Sequence, residues 1–240
     1  TTDGRIAAIA TGPISKAGMQ SGGYNFPGHT ELFARLAGVE DVAMMFAGPR
    51  LKVALATIHV PICAVPGLLK ADLILARLHL AVRAMRLFYG MRCPRVGISA
   101  LNPHGGEEGR MGREEIKIIA PAVELARGDG ILAFGPLPAD TLFYKALHGE
   151  YDLVLAMYHD QAMIPIKTLG FGRSVNITLG LPFVRTSPDH GTAFDLAPRA
   201  VANSAGMAHA IETAGRLAPK LSGADAWTTG ESDDLWQRNG

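Results

Sequence analysis

The chain has 240 residues, of which 48% are hydrophobic and 19% are charged, a composition typical of globular rather than disordered proteins. Its formal net charge of +1 gives no electrostatic reason to expect binding to nucleic acid or to an anionic membrane. No apolar stretch approaches the ~18 residues of a transmembrane helix, and no charged-then-apolar leader begins the chain. Two cysteines, Cys63 and Cys93, are too few for a disulfide framework. We therefore expect a cytoplasmic protein in which both are small buried hydrophobic residues.

Short β-like runs alternate with longer helical patterns along the chain. Strands are predicted at residues 6–11, 42–46, 53–57, 96–100, 131–134 and 153–157, and helices at 30–37, 68–89, 114–127, 140–147 and 205–217. Several strands lack polar alternation, as expected when helices cover both faces of a sheet. Residues 170–192 contain turn formers with short β-like pieces between them, and the tail from Ser222 has the composition of a loosely docked terminus. The pattern predicts an α/β fold with a largely parallel or mixed sheet.

Three histidines each follow one of the predicted strands, at or just past its C-terminal end: His59, His104 and His159. Ligands of open α/β folds bind at that edge of the sheet. Three imidazoles that converge there would bind a borderline-soft divalent metal and leave a coordination position open for substrate. A single histidine is more often a hydrogen-bonded structural residue, but the shared context favours a joint site.

Two carboxylates lie close to these histidines in the sequence. Asp160 directly follows His159, and Asp140 opens a predicted helix. A metal-bound imidazole usually donates its second N–H to a carboxylate or a carbonyl. Either aspartate is therefore a candidate partner of a ligand histidine or a candidate proton acceptor. For Asp140, a helix N-cap is an equally good explanation.

Further polar residues suit the binding of an anion. His29 and Thr30 open a helix after Pro27, and the backbone N–H groups of a helix N-terminus favour an anion, although ordinary capping explains the same pattern. Lys167, Asn176 and Arg185 occupy positions after His159. Together they would form a clamp for a phosphate or a carboxylate, whereas each by itself is more simply a solvated surface group.

The segment 186–193 is a tight loop of small residues that leads toward a helix. Such a loop can approach a nucleotide closely, although this one lacks the GxGxxG pattern of a Rossmann site. A structural turn capped by Asp189 or Thr192 explains it nearly as well.

Taken together, these segments resemble the 4-hydroxythreonine-4-phosphate dehydrogenase family of pyridoxal phosphate biosynthesis. The matching segments run in order along the chain: Thr11–Lys16, Gly28–Glu31, Leu55–Pro61, Leu101–His104, Met111–Glu115, Tyr158–Gln161, Gly170–Gly172, Asn176–Pro182 and Asp189–Ala193. The resemblance implies a two-domain fold related to the isocitrate and isopropylmalate dehydrogenases. It places the active site in the cleft between the domains, at the interface of a homodimer.

The resemblance also implies a domain division and longer relatives. Residues 1–23 and 187–240 would belong to a partial outer domain on the cofactor side, and residues 24–186 to a central domain for substrate, metal and dimerisation. Members of the family would carry roughly a hundred residues ahead of the point where this chain starts.

Site residues follow from the same resemblance. The implied metal ligands are His59, His104 and His159; the implied substrate-binding residues are His29, Thr30, Lys167, Asn176 and Arg185; the implied cofactor loop comprises Asp189, His190, Gly191 and Thr192; and the candidate catalytic residues are Asp160, Asp140 and Lys167. The implied reaction is metal-dependent, NAD-linked oxidation and decarboxylation of 4-phosphohydroxy-L-threonine. Three neutral imidazoles favour Zn²⁺, with Co²⁺, Mn²⁺ and Mg²⁺ as alternatives, and NADP is the alternative to NAD.

Other functions remain open at this point. Relatives that act on threonate or erythronate 4-phosphate, or on dihydrodiols of aromatic dicarboxylates, share the same three histidines. A truncated, non-catalytic metal-binding core is a second class of function, and a metal-dependent hydrolase or aldolase is a third.

Overall fold

The computed structural model describes residues 5–199, residues 201–221 and Trp227. Its strands form one eight-stranded sheet in the order β1-β8-β7-β2-β3-β6-β4-β5. The strands are β1 (Ala8–Ala10), β2 (Ala43–Ala47), β3 (Lys52–Leu55), β4 (Val96–Ser99), β5 (Ala133–Leu137), β6 (Leu153–Ala156), β7 (Val175–Leu179) and β8 (Val184–Pro188). The helices are α1 (Lys16–Ser21), α2 (His29–Ala37), α3 (Val65–Leu68), α4 (Ala71–Tyr89), α5 (Ala120–Gly128), α6 (Ala139–Leu147), α7 (His159–Gly170) and α8 (Ala205–Leu217).

The sheet is parallel in one half and mixed in the other. Strands β3, β6, β4 and β5 are neighbours that pair in parallel. Strand β2 runs antiparallel to β3 and to β7, β7 runs antiparallel to β8, and β1 closes the far side in parallel with β8. The predicted α/β class with a mixed sheet is confirmed. The parallel half brings the C-terminal ends of four strands to one edge.

Apolar residues cover both faces of this sheet. On β3, Val53 and Leu55 belong to one buried cluster while Ala54 belongs to the other. Successive side chains of a strand point to opposite faces, so a strand covered on both sides has no polar face. Helix α4 supplies much of the cluster that contains Ala54, and its residues Ile74, Leu78 and Met85 are fully buried there.

The predicted helices and strands are present, but several begin or end at residues other than those predicted. The helix predicted at 68–89 begins at Ala71, because Leu69 and Lys70 are extended and separate it from α3. The helix predicted at 114–127 starts with a π-helical turn, Glu115–Ile119, and continues as α5. Residues 170–192, rich in turn formers, contain the complete strands β7 and β8.

Burial of both cysteines was a wrong prediction, since Cys63 and Cys93 are free and exposed. Cys63 lies in a short helical turn with no buried residue, Ile62–Ala64, and Cys93 lies in the loop between α4 and β4. Periodicity predicts burial for neither position.

Three further expectations concern a membrane-spanning helix, the C-terminal tail and the division into domains. No helix within residues 5–199 and 201–221 combines the length and apolar character needed to cross a membrane. The tail predicted from Ser222 lies outside the described residues except for Trp227, whose indole N–H donates to the Leu181 carbonyl. The division into residues 1–23 and 187–240 against 24–186 stays a prediction.

Candidate active site

One face of β2, β7 and β8 forms the floor of a cleft with a cavity volume of about 250 Å³. In the antiparallel register, Asn176 pairs with both Phe46 and Ser187, and Thr178 pairs with Arg185. Paired residues point to the same face of a sheet. The floor therefore combines apolar side chains from β2 with polar side chains from β7 and β8.

Arg185 is the buried cation of this floor, with 4% of its surface exposed. Its guanidinium donates to Thr178 Oγ1 at 3.1 Å and to Thr11 Oγ1 at 2.6 Å. Burial lowers the pKa of Arg185 to about 10, which still leaves it charged at neutral pH. Two threonine hydroxyls orient the charge without neutralising it, so the site keeps its attraction for an anion.

Two buried polar atoms of the cleft have no hydrogen-bond partner among the described residues. They are Asn176 Oδ1 and Arg185 Nε. A buried polar atom left unpaired costs about 1–3 kcal/mol. Both atoms belong to residues that line the cleft, so a polar ligand bound there would supply the missing partners.

The N-terminus of α2 forms a second wall of the cleft. Gly28 is the N-cap and offers no side chain to the first turn, and His29, Thr30 and Glu31 line the cavity. The His29 ring stacks on Phe33 with centroids 5.7 Å apart. Burial, followed by the charge of Arg185, lowers the pKa of His29. The uncapped amides and the neutral imidazole are hydrogen-bond donors for an anion.

His59 and His159 meet at the rim of the same cleft, with ring centroids 5.5 Å apart. They follow β3 and β6, which are adjacent parallel strands. The Nδ1–H of His159 donates to Asp160 Oδ1 at 2.7 Å, which leaves Nε2 free to bind a metal. Burial lowers the pKa of His59, and the charges of His159 and Lys16 lower it further. A neutral imidazole is the form that binds a divalent cation, so this pair fits the implied metal.

His104 does not line the cleft. It follows β4, the strand next to β6, and is exposed within the turn Pro103–Gly109, where its own φ is +52°. Among the described residues, no group of three or more His, Cys, Asp or Glu side chains is arranged to hold a metal ion. One copy of the described chain thus brings together two of the three predicted ligands.

Asp140 lies with the His104 turn rather than in the cleft. It is the second residue of α6, is exposed, and follows the N-cap Pro138, so the alternative in which Asp140 caps the helix is wrong. Helix α6 packs against the turn Pro103–Gly109. Of the three candidate catalytic residues, Lys167 lines the cleft and Asp160 lies at its rim beside His159.

The predicted cofactor loop follows β8 at one end of the cleft. Asp189, His190 and Gly191 line the cavity, whereas Thr192 is exposed and does not. Asp189 Oδ2 accepts a short hydrogen bond from the Ser174 hydroxyl. The His190 ring lies against Gly206 of α8, where a Cβ would come within 3.1 Å of the ring. Gly206 thus lets α8 approach the loop closely.

Comparison with known proteins decides the family. The sequence profile described as "Pyridoxal phosphate biosynthetic protein PdxA" matches residues 1–214. The chain belongs to the PdxA family. The predicted resemblance is confirmed.

Individual relatives agree with this assignment. A curated 4-hydroxythreonine-4-phosphate dehydrogenase of Desulforapulum autotrophicum is 49% identical over 223 residues, which are 93% of this chain and 65% of the relative. The crystal structure of the Klebsiella pneumoniae 4-hydroxythreonine-4-phosphate dehydrogenase matches with a TM-score of 0.82 and 46% identity, over 90% of this chain and 66% of that one. A terephthalate 1,2-cis-dihydrodiol dehydrogenase of Burkholderia xenovorans LB400 has a TM-score of 0.68 and 30% identity, over 92% of this chain and 69% of that one. The PdxA-family chain thus spans about two thirds of the length of the proteins it matches.

Two charged residues of the PdxA-family cleft carry no predicted role. Lys16 and Glu31 both line the cavity. Their charges act on His59 in opposite directions, and Glu31 also acts on Arg185. Both residues stand in segments that matched the family, Thr11–Lys16 and Gly28–Glu31, so the match was the available signal. Sequence spacing could not show that either side chain faces the histidines.

Proposed function

We propose that this chain carries the substrate- and metal-binding part of a 4-hydroxythreonine-4-phosphate dehydrogenase. The reaction is the metal-dependent, NAD-linked oxidation and decarboxylation of 4-phosphohydroxy-L-threonine, in the cytoplasm. The observation that carries the proposal is a pair of buried polar atoms, Asn176 Oδ1 and Arg185 Nε, that find no partner in the described part of the chain and lie in a cleft shared with His59 and His159. A phosphorylated hydroxy amino acid matches both ends of that cleft.

The substrate phosphate binds at the Arg185 end. The guanidinium, the ammonium of Lys167 and the uncapped amides of α2 provide charge-assisted hydrogen bonds, which are stronger than neutral ones. His29 and Thr30 add side-chain donors to the same wall. These groups hold the phosphate away from the reacting carbons and fix the orientation of the substrate.

The metal is held by His59, His159 and His104, with Zn²⁺ favoured. His59 and His159 come from one chain, and the separation of His104 from them supports a site shared by two copies in a homodimer. Asp140 then accompanies His104 on the second copy, since α6 packs against the turn that carries it. When bound, the cation supplies a Lewis acid for the substrate hydroxyl and NAD supplies the hydride acceptor.

Residues of the chain manage protons around that chemistry. Asp160 accepts the Nδ1–H bond of His159 and so keeps Nε2 directed away from the carboxylate. Lys167 lies in the cleft, within reach of a substrate held by Arg185. As a free amine it accepts the proton of the reacting alcohol, and as an ammonium it returns a proton or pairs with the phosphate. The loop 189–191 binds the dinucleotide beside this end of the cleft.

The test is formation of NADH from 4-phosphohydroxy-L-threonine by the purified chain with Zn²⁺ and NAD. We expect activity to be lost on chelation and in the His59→Ala variant, and retained in Arg35→Gln, which alters an exposed arginine of α2 outside the cleft. Turnover that needs no dinucleotide would favour the hydrolase or aldolase alternative. If the chain binds Zn²⁺ but shows neither turnover nor NAD binding, the non-catalytic core is favoured.

A second candidate substrate class is a dihydrodiol of an aromatic dicarboxylate. The 30% identical terephthalate dihydrodiol dehydrogenase favours it, because a carboxylate also pairs with Arg185. Parallel assays with this dihydrodiol, with the threonine phosphate, and with threonate and erythronate 4-phosphates decide between them. The substrate with the highest kcat/KM identifies the class.

A further inference from the structure

A second cavity, of about 640 Å³, opens on the other face of the sheet from the cleft. Ala47 and Val175 line it, and their strand neighbours Phe46 and Asn176 line the cleft. Because successive side chains of a strand alternate between faces, the two cavities are separated by the sheet itself. No residue lines both of them.

Three cations from different elements line this cavity: Lys52 of β3, Arg173 of the loop before β7, and Arg216 of α8. None of the three side chains forms an ion pair or a hydrogen bond with the part of the chain that the structure describes. The carboxylate of Glu212 also lines the cavity and is likewise not in salt-bridge contact with them. Among the described residues, the lining of the cavity therefore carries three cations and one carboxylate, with none of the cations held in an ion pair.

Lys52 and Tyr89 form the inner wall. The Lys52 ammonium lies 4.7 Å from the centroid of the Tyr89 ring. Burial lowers the pKa of Lys52; the charge of Asp152 opposes that shift and the charge of Arg216 adds to it. The buried Tyr89 hydroxyl has no hydrogen-bond partner among the described residues. A bound anion would relieve the repulsion between the cations, and an accepting oxygen would satisfy the hydroxyl.

His209 fixes the loop on the opposite wall. Its ring Nδ1 lies 3.3 Å from the Gly172 carbonyl oxygen, which can only accept, so Nδ1 carries the proton. Nε2 is then free of the loop, and Gly172 directly precedes Arg173. The arrangement ties α8 to the loop that presents one of the cations.

We propose that this second cavity is a binding site for a phosphorylated small molecule, with the phosphate held by Arg173, Arg216 and Lys52. Guanidinium groups match the oxygens of a phosphate in geometry and charge. The volume lies within the roughly 300–1,000 Å³ range of sites that enclose whole small molecules, so it exceeds what a bare phosphate needs. The site is independent of the reaction in the cleft.

The proposal is tested by calorimetric titration with two probes, adenosine 5′-monophosphate and pyridoxine 5′-phosphate, which lacks an aldehyde and forms no imine with lysine. Titrations use a Lys167→Met background, which weakens phosphate binding in the cleft. We expect at least one probe to bind saturably. The double variant Arg173→Gln/Arg216→Gln should raise its dissociation constant roughly tenfold or more, because it removes two charge-assisted hydrogen bonds to the phosphate. Arg35→Gln, an exposed arginine outside the cavity, should leave binding unchanged.

Each result decides the proposal. Binding of the adenosine probe alone assigns a nucleotide, and binding of the pyridoxine probe alone assigns a phosphorylated pyridine. The proposal is overturned if neither probe binds saturably. It is also overturned if the double arginine variant binds a probe as tightly as the Lys167→Met background does. Circular dichroism checks the fold of each variant. We expect the variants to remain folded, because Arg173 and Arg216 are exposed.

Discussion

The carboxylate of Glu115 accepts a hydrogen bond of 2.7 Å from the backbone N–H of Asn102, just ahead of His104. The same oxygen accepts from the Leu101 N–H at 2.9 Å, and the other accepts from Asn102 Nδ2 at 3.0 Å. Glu115 has 3% of its surface exposed and stands in the π-helical turn ahead of α5. This buried side chain therefore determines where the chain goes after β4, and with it the position of His104.

The turn after Asn102 leaves no room beside Glu115. At Gly106, where φ is +79°, a Cβ would lie 2.6 Å from Glu115 Oε2. Glycine is required there both by the backbone conformation and by the close approach of the carboxylate.

Replacing Glu115 by alanine is expected to destabilise the protein strongly. The substitution leaves the part-buried Leu101 and Asn102 amides without their acceptor, and a donor that loses its partner costs about 1–3 kcal/mol when it is buried. We expect the free energy of unfolding in urea to fall by about 3 kcal/mol. The matched control is Glu107→Ala in the adjacent exposed turn, which should change it little. Equal losses for the two variants would contradict the role given to Glu115.

Replacing Asp160 by asparagine is expected to weaken Zn²⁺ binding by roughly 10–100-fold, the usual effect of losing the carboxylate partner of a ligand histidine. Asparagine cannot stabilise the His159 Nδ1–H as a carboxylate does, and its amide can turn a donor toward the ring. Competition with a chromogenic chelator measures the affinity. Asp195→Asn, an exposed aspartate outside the cleft, serves as the control. An unchanged affinity in Asp160→Asn would show that the observed contact does not tune the ligand.

Replacing Arg185 by lysine is expected to weaken binding of the phosphorylated substrate by roughly tenfold or more, because a single ammonium cannot keep the fork of donors. The guanidinium reaches Thr178 and Thr11 while keeping Nε free. Steady-state kinetics should show a raised KM for 4-phosphohydroxy-L-threonine. Thermal unfolding reports separately on the fold. A KM equal to that of the parent chain would remove Arg185 from the phosphate site.

The ion pair of Arg95 and Asp152 gives a pH-dependent contribution to stability. Hydrogen bonds from Arg95 hold the pKa of Asp152 below its ordinary value, against a smaller opposing effect of burial. A carboxylate with a depressed folded pKa stabilises the protein above its unfolded pKa of about 3.9 and loses that contribution as the pH falls through the folded value. Urea unfolding should therefore show Asp152→Asn to be less stable than the parent by a constant amount from pH 7 to pH 5. The difference should shrink from about pH 4 downward. A difference that grew on acidification would have the wrong sign.

Much of the fold could be predicted because periodicity and turn chemistry act locally. Apolar runs marked the parallel strands, and glycines marked the ends of α2 and α4 at Gly38 and Gly90, both left-handed. The same local signals placed His59 and His159 just past the ends of two predicted strands, which the structure shows to be neighbours. They could not reveal β7 and β8 as complete strands, since polar residues of these strands, such as Asn176 and Ser187, form the floor of the cleft and break the apolar pattern.

By itself, the sequence determined the α/β class, the family, and the set of polar residues at strand ends, because each depends on patterns within a few residues or on recognisable segments. Only the tertiary structure decided which of those residues meet. It grouped His59 and His159 with Arg185 and Asn176, and it placed His104 and Asp140 elsewhere. That grouping depends on sheet order and on the path of the chain after β4, which are set by long-range packing and by the buried carboxylate of Glu115.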